Sequence, residues 1–171
     1  MADVSHNSTV IANTVATPAV KNSPISDGVI KEKCAKVTYT AGDSAPSLAT
    51  IFRISAFSRV TDLLISSLDF TTAGAIDVGV HAESSPGVAG SAVDADFFAT
   101  AVDLAGGPYN NLSIVNESTT NTPVKQEQPL WQALGVSAAP AAGTFYLITA
   151  TIATTLNSTP LDVLFKVRYV D

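Results

Sequence analysis

Few residues in this sequence have types and spacings that could do chemistry. It holds two histidines, His6 and His81, and one cysteine, Cys34. Asp77, His81 and Glu83 fall at alternate positions, and in a strand residues two and four apart share a face. Two carboxylates and an imidazole could then meet one ion. A single histidine with carboxylates lacks the usual closed ligand set, so a solvated strand face is the expectation there. Asp94, Asp96 and Asp103 invite a calcium reading. Calcium loops need closely spaced oxygens and a glycine that turns the backbone, whereas Phe97 and Phe98 interrupt this group at once. Asp94 reads better as a helix N-cap. Cys34 has no histidine near it in sequence and reads as a buried structural thiol. No GxSxG, HExxH, CxxC or phosphate-binding glycine loop occurs. No base, nucleophile and orienting group can be assembled. The expectation is a protein that is not an enzyme, with no catalytic residue, cofactor or metal.

The composition points to contact surfaces instead. Charged residues make up 14% of the 171 residues, against roughly 25% in ordinary domains. The polar remainder is Ser, Thr, Asn and Gly, which loses water at lower cost than ionised groups. Interface cores are depleted in charge in the same way. The net charge is −6, with nine Lys and Arg. The densest basic group, Lys31, Lys33 and Lys36, has Glu32 inside it. Phosphate backbones need a basic patch, so neither nucleic acid nor an anionic membrane is an expected partner. No stretch reaches the ~20 apolar residues that span a bilayer. The start, MADVSHNSTV, lacks a basic segment followed by an apolar core and does not read as a secretory signal. Without such a signal, the four Asn-X-Ser/Thr matches at Asn7, Asn111, Asn116 and Asn157 read as chance.

Two units position these residues. Residues 1–30 read as an extended arm, rich in Ser, Thr, Asn and Pro. Pro18 and Pro24 exclude a helix interior. The arm has too few large apolar groups for a core, and Val10, Ile11, Val15 and Val20 are candidate contacts to a neighbour. Residues 31–171 read as an antiparallel β-sandwich or jelly roll with one or two short helices. Strands are expected at Cys34 to Thr40, Leu48 to Ile54, Val60 to Phe70 and around Ile76, Val78 and Val80. Two more run from Thr144 to Thr155 and from Leu161 to Val170, joined by LNSTP as a hairpin. Val93, Phe97, Ala101 and Leu104 fall on one helical face, which predicts a short helix ending at Gly106-Gly107. A second helical turn is expected over Pro129 to Leu134, with Trp131 and Leu134 facing the core. The stretch PYNNLSIVNESTTNTPVKQEQ reads as a long polar loop, with a short strand at Leu112 to Val115. Loops of that length are often functional.

The order of RVTDLLISSLDF, AIDVGVHAES, VDADFFATAVDL, QPLWQALG and LDVLFKVRYV behind the arm resembles the head decoration, or cement, proteins of tailed bacteriophages. The resemblance covers residues 10–171. It implies a sandwich clamped to the outer surface of an icosahedral capsid. There it would bridge major capsid protein subunits as a homodimer or homotrimer and stabilise the virion. It carries over no catalytic residue. The alternative is a receptor- or carbohydrate-binding module of a fibre or tail, with Tyr109, Asn110, Asn111 and Asn116 in the long loop as its contacts.

Overall fold

The computed structural model describes residues 29–40, 43–69, 74–155 and 161–171. The arm residues Val10, Ile11, Val15 and Val20 lie outside them. The described residues form eight strands: β1 (Lys31–Tyr39), β2 (Leu48–Ser55), β3 (Arg59–Ser67), β4 (Ala75–Ser85), β5 (Val88–Asp103), β6 (Tyr109–Ser113), β7 (Phe145–Thr154) and β8 (Leu161–Val170). They pair antiparallel into two sheets, one ordered β1-β8-β3-β6 and the other β2-β7-β4-β5. The chain is an all-β sandwich, as its alternation implied.

Alternation decides which side of each strand faces inward. Val163, Phe165, Val167 and Tyr169 of β8 are buried, while Asp162 and Arg168 are exposed. Tyr146, Ile148, Ala150 and Ile152 of β7 fill the same core from the other sheet. The expected hairpin of these two strands does not form. β8 sits between β1 and β3, and β7 between β2 and β4. Each has an apolar inner face long enough to serve as the centre of a sheet, and a hairpin would have put both in one layer.

The helix expected from Val93 to Leu104 is also absent. That segment is β5, followed by a 3-10 turn at Leu104–Gly106. Asp94 pairs with Val80, and Ala99 with Val78. Four residues separate the first members and one separates the second, so β5 carries three extra residues there. Such bulges stretch the apolar spacing beyond two and imitate a helical period. The capping role falls to Asp103, whose carboxylate accepts from the Ala105 N–H at 2.9 Å. Ala101 has φ 49°, a left-handed conformation that costs about 1–2 kcal/mol. Its N–H is held by the Asp77 carboxylate at 2.7 Å.

The polar stretch after β5 is more ordered than a loop. It contains β6 and a short helix α1 (Pro123–Gln126). Ile114 and Val115 lie beyond the strand, yet are buried. Asn121 Nδ2 donates to the Val115 carbonyl at 2.7 Å, and the Ser118 N–H to the Phe98 carbonyl at 3.0 Å. The helical turn α2 (Leu130–Ala133) follows, anchored by the Leu130 and Trp131 N–H groups on the Ser58 and Ala56 carbonyls. Trp131 and Leu134 pack against the core as expected.

Gly79 marks the closest approach of β4 and the bulged β5. A Cβ there would collide with the backbone of Asp94 and Ala95. Gly79→Ala should therefore lower unfolding stability by about 1–3 kcal/mol, the usual cost of overpacking, read as a lower urea midpoint.

Candidate functional site

The two sheets differ in what their outer faces present. On the β1-β8-β3-β6 sheet, side chains that are opposite or diagonal to one another across the register pair. Lys36 Nζ lies 2.7 Å from Asp162 Oδ2, and Thr38 donates to the same carboxylate. Arg168 bridges Glu32 at 2.9 Å and Asp62 at 3.6 Å. Ser113 donates to Asp62 at 2.7 Å. The Lys36 bond holds the Asp162 carboxyl below its usual range, and the Arg168 bond does the same for Glu32. This face is a self-compensated ladder suited to water. Exposed pairs of this kind add little stability.

Tyr109, Asn110 and Asn111 stand at the edge of that face on β6. The Tyr109 hydroxyl donates to the Asp103 carbonyl. Asn111 accepts from Lys166 Nζ at 2.8 Å and donates from Nδ2 to Asn110 Oδ1 at 3.1 Å, while its N–H meets Ser66 Oγ at 2.9 Å. Asn116 accepts from Gln126. These groups bond within the fold rather than converging on open space. Tyr109, Leu68 and Leu164 line a shallow depression of about 400 Å³ with Lys36 and Asp162 at its rim. Leu68 is 68% exposed.

The β2-β7-β4-β5 sheet carries fewer charges outside. Arg53, Leu147, His81 and Ala92 form one row of the register. Arg53 makes a two-pronged ion pair with Glu83 at 2.6 and 2.9 Å and lies 3.5 Å from the Phe145 ring. Leu147 and Thr149 in this neighbourhood have no exposed surface.

The metal reading of Asp77, His81 and Glu83 ends here. They share a face, but Asp77 holds the Ala101 N–H and Glu83 holds Arg53 and the Gly87 N–H. His81 is buried, with Nδ1 2.9 Å from Thr149 Oγ1, and burial lowers its pKa. The expected solvated strand face is therefore corrected: its histidine is covered. Asp94 and Asp96 lie close together, and burial followed by Asp96 raises the Asp94 pKa. Asp103 is engaged elsewhere by its turn. Among the described residues no group of three or more His, Cys, Asp or Glu is placed to hold a metal. Cys34 is corrected as well: it is exposed, on the outer side of edge strand β1, with Sγ 3.8 Å from Glu32 Oε1.

Sequence reasoning missed a cleft between the sheets. Among the described residues β1 and β2 are edge strands of the two sheets, and they lie beside each other. At one end Lys33 Nζ closes the gap by donating to the Arg53 carbonyl at 2.9 Å. At the other end the edges part around about 220 Å³, lined by Val37, Tyr39, Asp43, Leu48, Ala49 and Ile152, among others. Tyr39 is 4% exposed, and among the described residues its hydroxyl has no hydrogen-bond partner. An unmade bond to a buried polar group costs about 1–3 kcal/mol. Burial pushes the Tyr39 phenol up. Only the alternation of Val37 and Tyr39 hinted at this wall, because the cleft depends on which strands become edges.

No protein-family model matches the chain, and no curated protein matches it. Its fold resembles that of a bacteriophage capsid chain. A chain of the cyanophage Pam1 capsid asymmetric unit aligns with TM-score 0.51 at 16% identity, covering 84% of this chain and 85% of that one. At that identity the likeness is one of fold. A chain of the acidic stable capsid structure of Helicobacter pylori bacteriophage KHP30 aligns over 84% of this chain and 94% of that one, with 9% identity and TM-score 0.36. That likeness is too weak to carry an argument.

The Arg53–Glu83 pair gives a pH signature. The Arg53 bond, then the Gly87 N–H, lowers the Glu83 pKa from its ordinary 4.5. A carboxylate lowered on folding stabilises above its unfolded value, and that contribution fades as pH falls through the folded one. The stability gap between the natural chain and Glu83→Gln should thus be widest at neutral pH and close in acid, as followed by urea unfolding across the acid range.

Proposed function

We propose that this chain is a structural protein of a bacteriophage virion that decorates the outside of an icosahedral capsid and stabilises it by bridging major capsid protein subunits. The observation that carries the reading is the likeness in fold, over most of both chains, to a chain of the Pam1 capsid asymmetric unit. The charge-poor composition supports it, as does the Ser-, Thr-, Asn- and Pro-rich sequence of the first 30 residues. So does the contrast between an outer face of paired charges and an opposite face with fewer of them. On this reading the protein works as a homodimer or homotrimer, and its acidic balance keeps it from competing for packaged DNA.

The sugar-binding alternative has less support, because the polar atoms of Tyr109, Asn111 and Asn116 already bond within the fold.

Particle binding tests the proposal. Purified protein mixed with undecorated heads of the source phage should sediment with them saturably, at a fixed ratio to the major subunit. Absence of binding at micromolar protein would overturn it. Deleting residues 1–30 should weaken attachment at least several-fold while leaving the circular dichroism of the sandwich unchanged. Undiminished attachment would remove the arm from the mechanism.

A further inference from the structure

Among the described residues, the cleft between β1 and β2 is flanked by two strands that each pair on one side only, β1 with β8 and β2 with β7. Each therefore offers unpaired backbone groups along its free edge. The walls supplied by Val37, Leu48, Ala49 and Ile152 are apolar, with Thr38, Ser47 and Asp43 beside them. A single extended strand meets both of these demands: its backbone pairs with an open edge and its alternate side chains enter the cleft.

The sequence contains one segment of that kind outside the described residues. Residues 9–17 read TVIANTVAT, with no proline, no glycine and no charge. At roughly 3.3 Å per residue they span ~30 Å, more than enough to follow the open end of β1 from Lys36 to Tyr39, beyond the stretch that Lys33 closes. None of their side chains would lose water as an ion, and the only charged residue lining the cleft is Asp43.

The segment fits a second copy better than its own chain. Asp27-Gly28 lies two residues before β1, which starts at Lys31, and is a two-residue hairpin signal. If the arm folded back there, Ser26 would face Val29 as a hydrogen-bonded pair. Every second pair beyond it would bond likewise, which sets Pro24 opposite Lys31 and Pro18 opposite Val37. Neither proline has the N–H that such a pair requires. Residue 17 would by then lie beside Thr38, so most of 9–17 would overrun the end of β1 and miss the cleft. From another copy the segment can enter without either obstacle.

We infer that residues 9–17 of one copy insert as an extra strand between β1 and β2 of a second copy, so that the protein assembles by exchanging arms. This rests on the reading above only in treating the arm as a strap, and it names the neighbouring subunit as another copy of this chain.

Crosslinking of the isolated full chain tests it apart from any capsid. In a Cys34→Ser background, Val15→Cys and Leu48→Cys are made singly and together. Mild oxidation of the two single variants mixed should give a disulfide-linked dimer, well above the homodimers each forms alone, and the double variant should give dimers and larger multimers on a non-reducing gel. A crosslinked monomer from the double variant would overturn the second-copy assignment in favour of the chain's own arm. No crosslink beyond that of the single variants would overturn the cleft as the arm's site. Failure to bind heads with crosslinking intact would count against decoration alone.

Discussion

The inward side chains of β7 and β8 meet in one apolar core, and burying them obliges the backbone beside them to find partners within the sheets. Ile148, Ala150 and Ile152 face inward from one layer, and Val163, Phe165 and Val167 from the other. Satisfying two central strands takes four flanking ones: β2 and β4 for β7, β1 and β3 for β8. β5 and β6 then complete the sheets on one side, while β1 and β2 end them on the other. The cleft is a consequence of that count. It lies where both layers stop on the same side of the core.

Much of this was legible in the sequence. The alternation from Val163 to Tyr169 fixed the inner face of β8, and Ile76, Val78 and Val80 fixed that of β4. What misled was period and neighbourhood. In β5 the bulges spread Val93, Phe97, Ala101 and Leu104 to helical spacing, because residues that bulge out of the ladder count in the sequence but not in the register. For β7 and β8, nearness along the chain suggested pairing, whereas competition for the sheet centres separated them. Cys34 reads as buried by type, yet it alternates with Ala35 and Lys33 and so falls on the outer face of an edge strand.

The candidate sites divide along similar lines. That Asp77, His81 and Glu83 share a face followed from spacing alone. Their partners did not, since Ala101, Thr149 and Arg53 come from other strands. Tyr109 and the asparagines beside it were singled out as exposed loop residues. In the fold they belong to a strand and spend their polar atoms on Asp103, Ser66 and Lys166. The Tyr39 hydroxyl could not be picked out beforehand, because what sets it apart is a missing partner.

Lys33 gives the open side of the sandwich a further property. It occupies the inward row of β1, opposite Val167, and carries its ammonium to the Arg53 carbonyl and within 5.2 Å of the Tyr169 ring. A charge turned inward on an edge strand makes that stretch a poor template for sheet growth. Lys31 and Lys36 add exposed charge along the same edge. The stretch around Lys33 is thus closed to a further strand, while the end lined by Val37, Leu48 and Asp43 stays open to one.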